Sequence, residues 1–467
     1  MRRFTLLLAL VATFGLGCSR NGSPDETPAR AANADAQRPN VMLVVVDTLR
    51  ADEVVIESSA ADPTPNLRAI AEAGAAFTTA YAHTATTAPS HATLFTSLHP
   101  TTHGVTKNGL VLQQEHRTLT DVLDEAGYQT AAIVSGLPVV RSFGVLQGFE
   151  SVMDDLPVDR NALEPRACQT SGVEKCGERT TEEAMRWLAD GRDPKRPFFL
   201  FVHYYDPHKS YEAPAPFASQ PTPSGKPSFR ERCRAARERY RNEVAYTDHL
   251  IGKITAEIAR LGLADDTLVL VTADHGEAFD EHENCQHTGD LYEELVRIPL
   301  LVRWPGKIRG GWRSSEPIGL VDVMPTVLDL LRLEAGTTLQ GRSVGEALLG
   351  DESSVSPGPV FFERAHFERK KRLQGRRFFG TQLGVRDGRW KYMEATEESR
   401  RSLYDLETDP RESDNLIAER PDETMRLARV LADWRQQTMD ARPEWRSQKR
   451  ADSKEVVEGL RALGYVE

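Results

Sequence analysis

Three continuous apolar runs, each ending in an acid or an imidazole, constrain this chain more than any other feature. Val41 to Val46 ends in Asp47, and Leu268 to Thr272 stops just before Asp274-His275-Gly276-Glu277. Phe198 to Val202 runs into His203-Tyr204-Tyr205-Asp206-Pro207-His208. Apolar runs without alternation, rich in β-branched residues, are the pattern of strands buried on both faces of a parallel sheet. In such a sheet, ligands collect beyond the carboxyl ends of the strands. A lone Asp after a strand is most often a turn or cap residue. Three strand ends that deliver Asp and His together predict a site instead. Carboxylate oxygens with imidazole nitrogen suit a divalent metal.

The alternation of strand and helix continues along the chain. Thr64-Pro65 starts a helix that runs to Gly74, and Thr118 to Ala126 and Arg230 to Leu261 are also helical. Thr130 to Ser135 and Ile298 to Trp304 read as further strands. The expected fold over 39–355 is α/β, a large mostly parallel sheet sandwiched by helices. The character changes after about residue 355. Pro359 to Glu363 and Leu383 to Met393 read as antiparallel strands with a turn at Asp387-Gly388, and Thr424 to Gln437 as an amphipathic helix. Residues 356–467 are therefore expected to form a small α+β C-terminal subdomain. A chain of 467 residues is long enough for one large core and a smaller one.

The N-terminus reads as an address, not as structure. Arg2 and Arg3 precede an apolar run from Phe4 to Gly17, too short to span a bilayer comfortably. Residues 1–18 are expected to be a signal peptide, and Gly15-Leu16-Gly17-Cys18 resembles the cleavage box of bacterial lipoproteins, with Cys18 lipidated. Polar residues 19–38 would be a flexible tether. The protein is thus expected in the bacterial envelope, anchored to a membrane and facing the periplasm or the cell surface. Cys168, Cys176, Cys233 and Cys285 remain, and an exported chain permits disulfides among them in any of the three pairings. A net charge of -11 excludes general nucleic-acid binding. It does not exclude an anionic substrate, because a metal supplies local positive charge.

A second signal lies between Thr84 and Pro100. In Thr87-Ala88-Pro89-Ser90-His91, Pro89 suits the first turn of a helix that continues through Ser97. Thr87 then sits at a helix N-terminus, where partial positive charge favours an anion. A Thr hydroxyl is a poor nucleophile unaided, and a metal activates it.

These residues carry a resemblance. Asn40 to Asp52, Thr64 to Leu67, Pro89 to Ser97, Thr272 to Glu277, Leu291 to Glu294 and Arg297 to Leu300 resemble the sulfatase branch of the alkaline phosphatase superfamily. Leu403 to Leu406, Asp409-Pro410 and Asn415-Leu416 are similar to its C-terminal segment. The resemblance implies a metal held by Asp47, Thr87, Asp274 and His275, with Thr87 as nucleophile. It further implies an oxyanion donor at Asn108, in the way of related phosphodiesterases and phosphonate monoester hydrolases. The chain departs from sulfatases in having Thr87 where they carry a Cys or Ser converted to formylglycine. It also has His91 for their Arg, Thr48 for a frequent second Asp, and no Lys-x-His in Ala131 to Gly136. His287 stands near the place of a substrate-binding Lys.

Thr nucleophiles occur in the phosphoryl-handling relatives, which bind Zn²⁺ or Mn²⁺; Ca²⁺ and Mg²⁺ are the alternatives. Asp206, His208 and His287 are expected either to hold a second metal or, with one metal, to grip substrate or protonate a leaving group. The expected function is hydrolysis of phosphate esters, or phosphoryl transfer, on a small-molecule, lipid or glycan ester. The alternatives are a sulfate ester hydrolase without formylglycine and a lipid-anchored binding protein without turnover.

Overall fold

A computed structural model describes residues 38–57, 62–156, 174–218, 227–287, 289–351, 358–373, 376–442 and 458–461. The expected signal peptide with Cys18, the expected tether up to residue 37, and Cys168 lie outside them. The main sheet contains β1 (Asn40–Val46), β2 (Ala75–Tyr81), β3 (Gln129–Val134), β4 (Ser151–Met153), β5 (Phe198–Tyr204), β6 (Thr267–Ala273), β7 (Arg297–Arg303), β8 (Trp312–Ser314) and β9 (Ile318–Gly319). Its order is β4-β3-β5-β1-β6-β7-β2-β8, with β9 beside β2. β4, β3, β5, β1 and β6 run parallel to one another. β7 opposes both of its neighbours.

The three runs that open the sequence argument are adjacent in this sheet. β1 lies between β5 and β6, and all seven residues of each strand are buried. Burial on both faces is what an unbroken apolar run requires. β5 is two residues longer than its apolar core, because His203 and Tyr204 continue the ladder to Val45 and Val46. Helices Pro65–Glu72 and Phe229–Arg260 start where expected; Ser228 caps the latter through a capping box with Glu231.

A second, antiparallel sheet comprises β10 (Val360–Leu373), β11 (Arg376–Asp387), β12 (Trp390–Ala395) and β13 (Arg400–Asp405), in that order. The helix Pro421–Asp440 covers it, placing Leu427, Leu431 and Trp434 against Leu383, Val385, Tyr392 and Leu403. Each such side chain contributes roughly 1.5–3 kcal/mol on full burial. Cys233 and Cys285 form a disulfide, and Cys176 is also disulfide-bonded.

The two sheets are joined by buried charge as well as apolar contact. Lys391 Nζ on β12 lies 3.0 Å from Glu293 Oε1, beside β7, and 3.0 Å from Glu412 Oε1, with Lys391 and Glu412 fully buried and Glu293 mostly so. Near it, His282 Nδ1 donates to Glu294 Oε1 at 3.0 Å, and its ring stacks on Tyr292 with centroids 3.6 Å apart. Removing one partner of a buried pair strands the other charge, at a cost of ~3–5 kcal/mol. Lys391→Met is therefore expected to lower unfolding free energy by ~3–5 kcal/mol, measured by urea titration; a loss below that range means that water reaches the triad.

The same region sets a pH dependence. Burial opposes the charge on His282, but Glu294 and then Glu412 raise it from 6.5 to about 9. Its stabilising contribution is whole below 6.5 and is lost as the pH rises through about 9. Glu412 is pushed from 4.5 to about 7, chiefly by burial, and its contribution falls over that window in the same direction. Denaturant midpoints should fall on the alkaline side, and His282→Gln should flatten the limb near pH 9. An unchanged limb in that variant removes His282 as its source.

Candidate active site

Register alone puts the acids together. Val46 pairs with Ala273 across β1 and β6, so the next residues, Asp47 and Asp274, leave the sheet side by side. The chain then turns sharply at Thr48, whose φ of 57° lies in the left-handed region. That conformation is costly for a β-branched residue. Here it aims the Thr48 N–H at Asp274 Oδ1, 3.1 Å away. The Tyr240 hydroxyl holds the turn from the Phe229–Arg260 helix, donating to Thr48 O at 2.8 Å and accepting from Arg50 N at 3.0 Å.

Thr87 begins the helix Thr87–Thr96, every residue of which is buried. Its Oγ1 lies 3.5 Å from Asp47 Oδ2 and 3.4 Å from His275 Nε2. His275 donates its Nδ1–H to Gly276 O at 2.9 Å, which leaves an Nε2 lone pair facing Thr87, Asp274 and Asp47. Asn108 accepts from Ala88 N through Oδ1 at 2.8 Å, so its amide is fixed at the start of the same helix. The Asn108 Nδ2 is buried without a hydrogen-bond partner.

The residues fit a divalent cation. One ligand atom each from Asp47, Asp274 and His275 lies within 4.8 Å of the others. Each carboxylate has one occupied and one bare oxygen. Asp274 Oδ1 accepts from the N–H groups of Thr48 and His275, and Asp47 Oδ2 from Thr87. Asp274 Oδ2 and Asp47 Oδ1 are buried with no hydrogen-bond partner. Burial, then the charges of Asp274 and Glu277, hold Asp47 well above the usual carboxylate range. Burial lifts Asp274 to about 6. Burial, then His287, holds His275 down to about 3. Acids pushed toward neutrality beside imidazoles kept neutral describe a place that a positive ion would stabilise.

His208 and His287 border this cluster. The rings of His275 and His287 are 4.5 Å apart, and those of His208 and His287 are 5.1 Å apart. His287 donates Nδ1–H to Glu277 Oε1 at 3.2 Å, and Tyr211 donates to Glu277 Oε2 at 2.9 Å. Asp206 does not join them. Its carboxylate faces the start of the helix Gly177–Arg186, where the backbone of Gly177 favours its charge. Among the described residues, the three-ligand group is Asp47, Asp274 and His275, without a second group at Asp206, His208 and His287.

Sequence reasoning placed Glu277 and His203 at strand ends but gave neither a role; Glu277 orients His287, and His203 lies 3.7 Å from Asp47. A His at the end of an apolar strand run was the available signal for the latter.

A family model described as Sulfatase matches residues 39–333, and one described as N-sulphoglucosamine sulphohydrolase, C-terminal, matches residues 287–437. Arylsulfatase K of Bos taurus is 25% identical over 486 residues, covering 91% of this chain and 87% of its own length. A multifunctional alkaline phosphatase superfamily protein of Trinickia caryophylli is 27% identical over 395 residues, covering 66% of this chain and 76% of its own. The crystal structure of a phosphonate monoester hydrolase of Agrobacterium radiobacter shares the fold, with a TM-score of 0.70 at 24% identity over 86% of this chain and 96% of that one.

Divalent ion at 100 times its dissociation constant should stabilise the protein by about 2.7 kcal/mol, read from unfolding with and without chelator. Asp47→Asn removes one of two repelling buried charges. It is expected to stabilise the metal-free protein while abolishing the increment from the ion. An increment that survives in Asp47→Asn places the ion elsewhere.

Proposed function

Because this chain belongs to the sulfatase family, whose members are ester-cleaving hydrolases, we propose that it cleaves phosphate esters with Thr87 as nucleophile. The observation that carries this reading is the hydroxyl of Thr87 standing 3.4–3.5 Å from two ligand side chains, in the place of a convertible Cys or Ser. Likeness to a multifunctional alkaline phosphatase superfamily protein and to phosphonate monoester hydrolases supports it.

In this reading Thr87 Oγ attacks phosphorus. An Oγ–P bond forms as the bond to the leaving oxygen breaks in line with it. When bound by Asp47, Asp274, His275 and Thr87, a divalent ion (Zn²⁺ or Mn²⁺ in preference to Ca²⁺ or Mg²⁺) supplies Lewis-acid activation and local positive charge. The Asn108 Nδ2–H₂ donates to a phosphoryl oxygen as charge develops there. The neutral imidazoles of His208 and His287 take up the proton lost by Thr87 and return it to the departing oxygen. Glu277 holds His287 in the required orientation. Water then attacks phosphorus, breaks the Oγ–P bond and restores the hydroxyl. By the same reading, the reaction takes place in the bacterial envelope, with the chain anchored through Cys18.

Metal-loaded protein should turn over an aryl phosphate monoester or a phosphate diester faster than an aryl sulfate. The likeness to arylsulfatase K makes the sulfate ester the informative control, and activity on sulfate alone would overturn the reading. Thr87→Ala should lose at least ~10³-fold in kcat with its fold intact. Asn108→Ala should lose about 10²–10³-fold. Unchanged rates in either variant remove that residue from the mechanism.

A further inference from the structure

Two imidazoles packed against the ligand cluster take no part in the chemistry above. His203 and His91 are both fully buried, and their rings meet edge to face with centroids 4.9 Å apart and planes at 84°. His91 donates Nδ1–H to Thr87 O at 2.9 Å. That bond fixes its tautomer and leaves Nε2 a bare lone pair, which has no hydrogen-bond partner.

Neither ring nitrogen of His203 has a hydrogen-bond partner either. Even a neutral imidazole carries one N–H. A buried donor without an acceptor costs roughly 1–3 kcal/mol, so a residue left in that condition calls for a reason. Its position is firmly held. Ser135 Oγ donates to His203 O at 2.5 Å and accepts from Tyr205 N at 2.8 Å. The ring lies so close to Gly136 that a Cβ there would come within 3.0 Å of His203 Cε1. The anion in reach is Asp47, whose Oδ2 lies 3.7 Å from His203 Nε2. This is longer than a hydrogen bond, and such contacts are commonly long until a site is filled.

The division of labour on Asp47 gives that contact meaning. Oδ2 faces donors, Thr87 and His203, while Oδ1 faces His275 and has no hydrogen-bond partner. We propose that His203 is a positioning residue for the ion: when Asp47 holds the cation, His203 Nε2–H donates to Asp47 Oδ2 and keeps Oδ1 turned toward the ion. Metal-ligating groups are commonly held by such outer hydrogen bonds. The inference rests on the metal reading of the site.

The test is metal affinity, measured by titrating purified protein with Zn²⁺ or Mn²⁺, then Ca²⁺ or Mg²⁺, against a chromophoric chelator. His203→Phe keeps a ring against His91 but has no donor; His203→Gln keeps a donor without the ring. Circular dichroism and unfolding in chelator check the metal-free fold of each, and His203→Leu takes the place of His203→Phe if the latter does not fold. The expected result is a ~10–100-fold loss of affinity in His203→Phe, with His203→Gln close to wild type. Wild-type affinity in His203→Phe overturns the proposal. Equal losses in Phe and Gln variants also overturn it, since His203 would then act as a ligand or through packing. If the wild type binds none of Zn²⁺, Mn²⁺, Ca²⁺ and Mg²⁺, the metal reading itself fails, and that outcome is distinct from the other two.

Discussion

Two carboxylates that emerge side by side from neighbouring strands, away from water, are the constraint to which the rest of the site responds. At close range in a poorly polarisable interior, like charges repel by several kcal/mol or more. Among the described residues, no arginine or lysine acts on either acid. The fold surrounds Asp47 and Asp274 with backbone N–H groups, a helix N-terminus and imidazoles that burial keeps neutral. Each acid is half satisfied by these donors, with one bare oxygen left. A cation bound between the bare oxygens would complete the arrangement. His91 stands where the resemblance leads one to expect an arginine, which leaves room for an ion to supply positive charge there.

The periphery serves the same end. Thr48 is held in a strained conformation by Tyr240, which belongs to a helix far along the chain. Arg50 ties the same turn to Asp52, Glu281 and the carbonyl of Glu277. The C-terminal sheet is fastened to the catalytic sheet next to Glu293 and Glu294, just after the segment that carries His287. Its charged fastening at Lys391 and its aromatic contacts, such as Tyr81 against Phe362, hold the two sheets together.

Much of this was legible in the sequence, for identifiable reasons. Strands buried on both faces leave no choice of residue type, so β1, β5 and β6 were visible as unbroken apolar runs, and their ends pointed to Asp47, Asp274 and His275. Pro89 marked the helix that presents Thr87. Less could be read where function depends on where a side chain turns. Asp206 and His208 are neighbours in sequence, yet a tight turn at Pro207 sends one toward a helix start and the other toward His287. His203 was visible after the apolar run, but its place inside the sheet was not, because a polar residue there reads as the end of a strand, whereas here the ladder continues through it. The pairing of Lys391 with Glu293 and Glu412 joins segments that no periodicity connects.

The position of β1 has a consequence for how the protein comes into being. This strand is the first among the described residues, but its partners in the sheet are β5 and β6, which follow some 160 and 225 residues later. A chain emerging N-terminus first therefore carries an unpaired, almost wholly apolar strand until β5 is made, some 160 residues later. Pairings this distant in sequence are slow to form, and the exposed edge invites association until they do. Asp47 and Asp274 meet only at that late closure. A site built on that pair cannot assemble on any early fragment, and an ion captured there would report that the central sheet is complete.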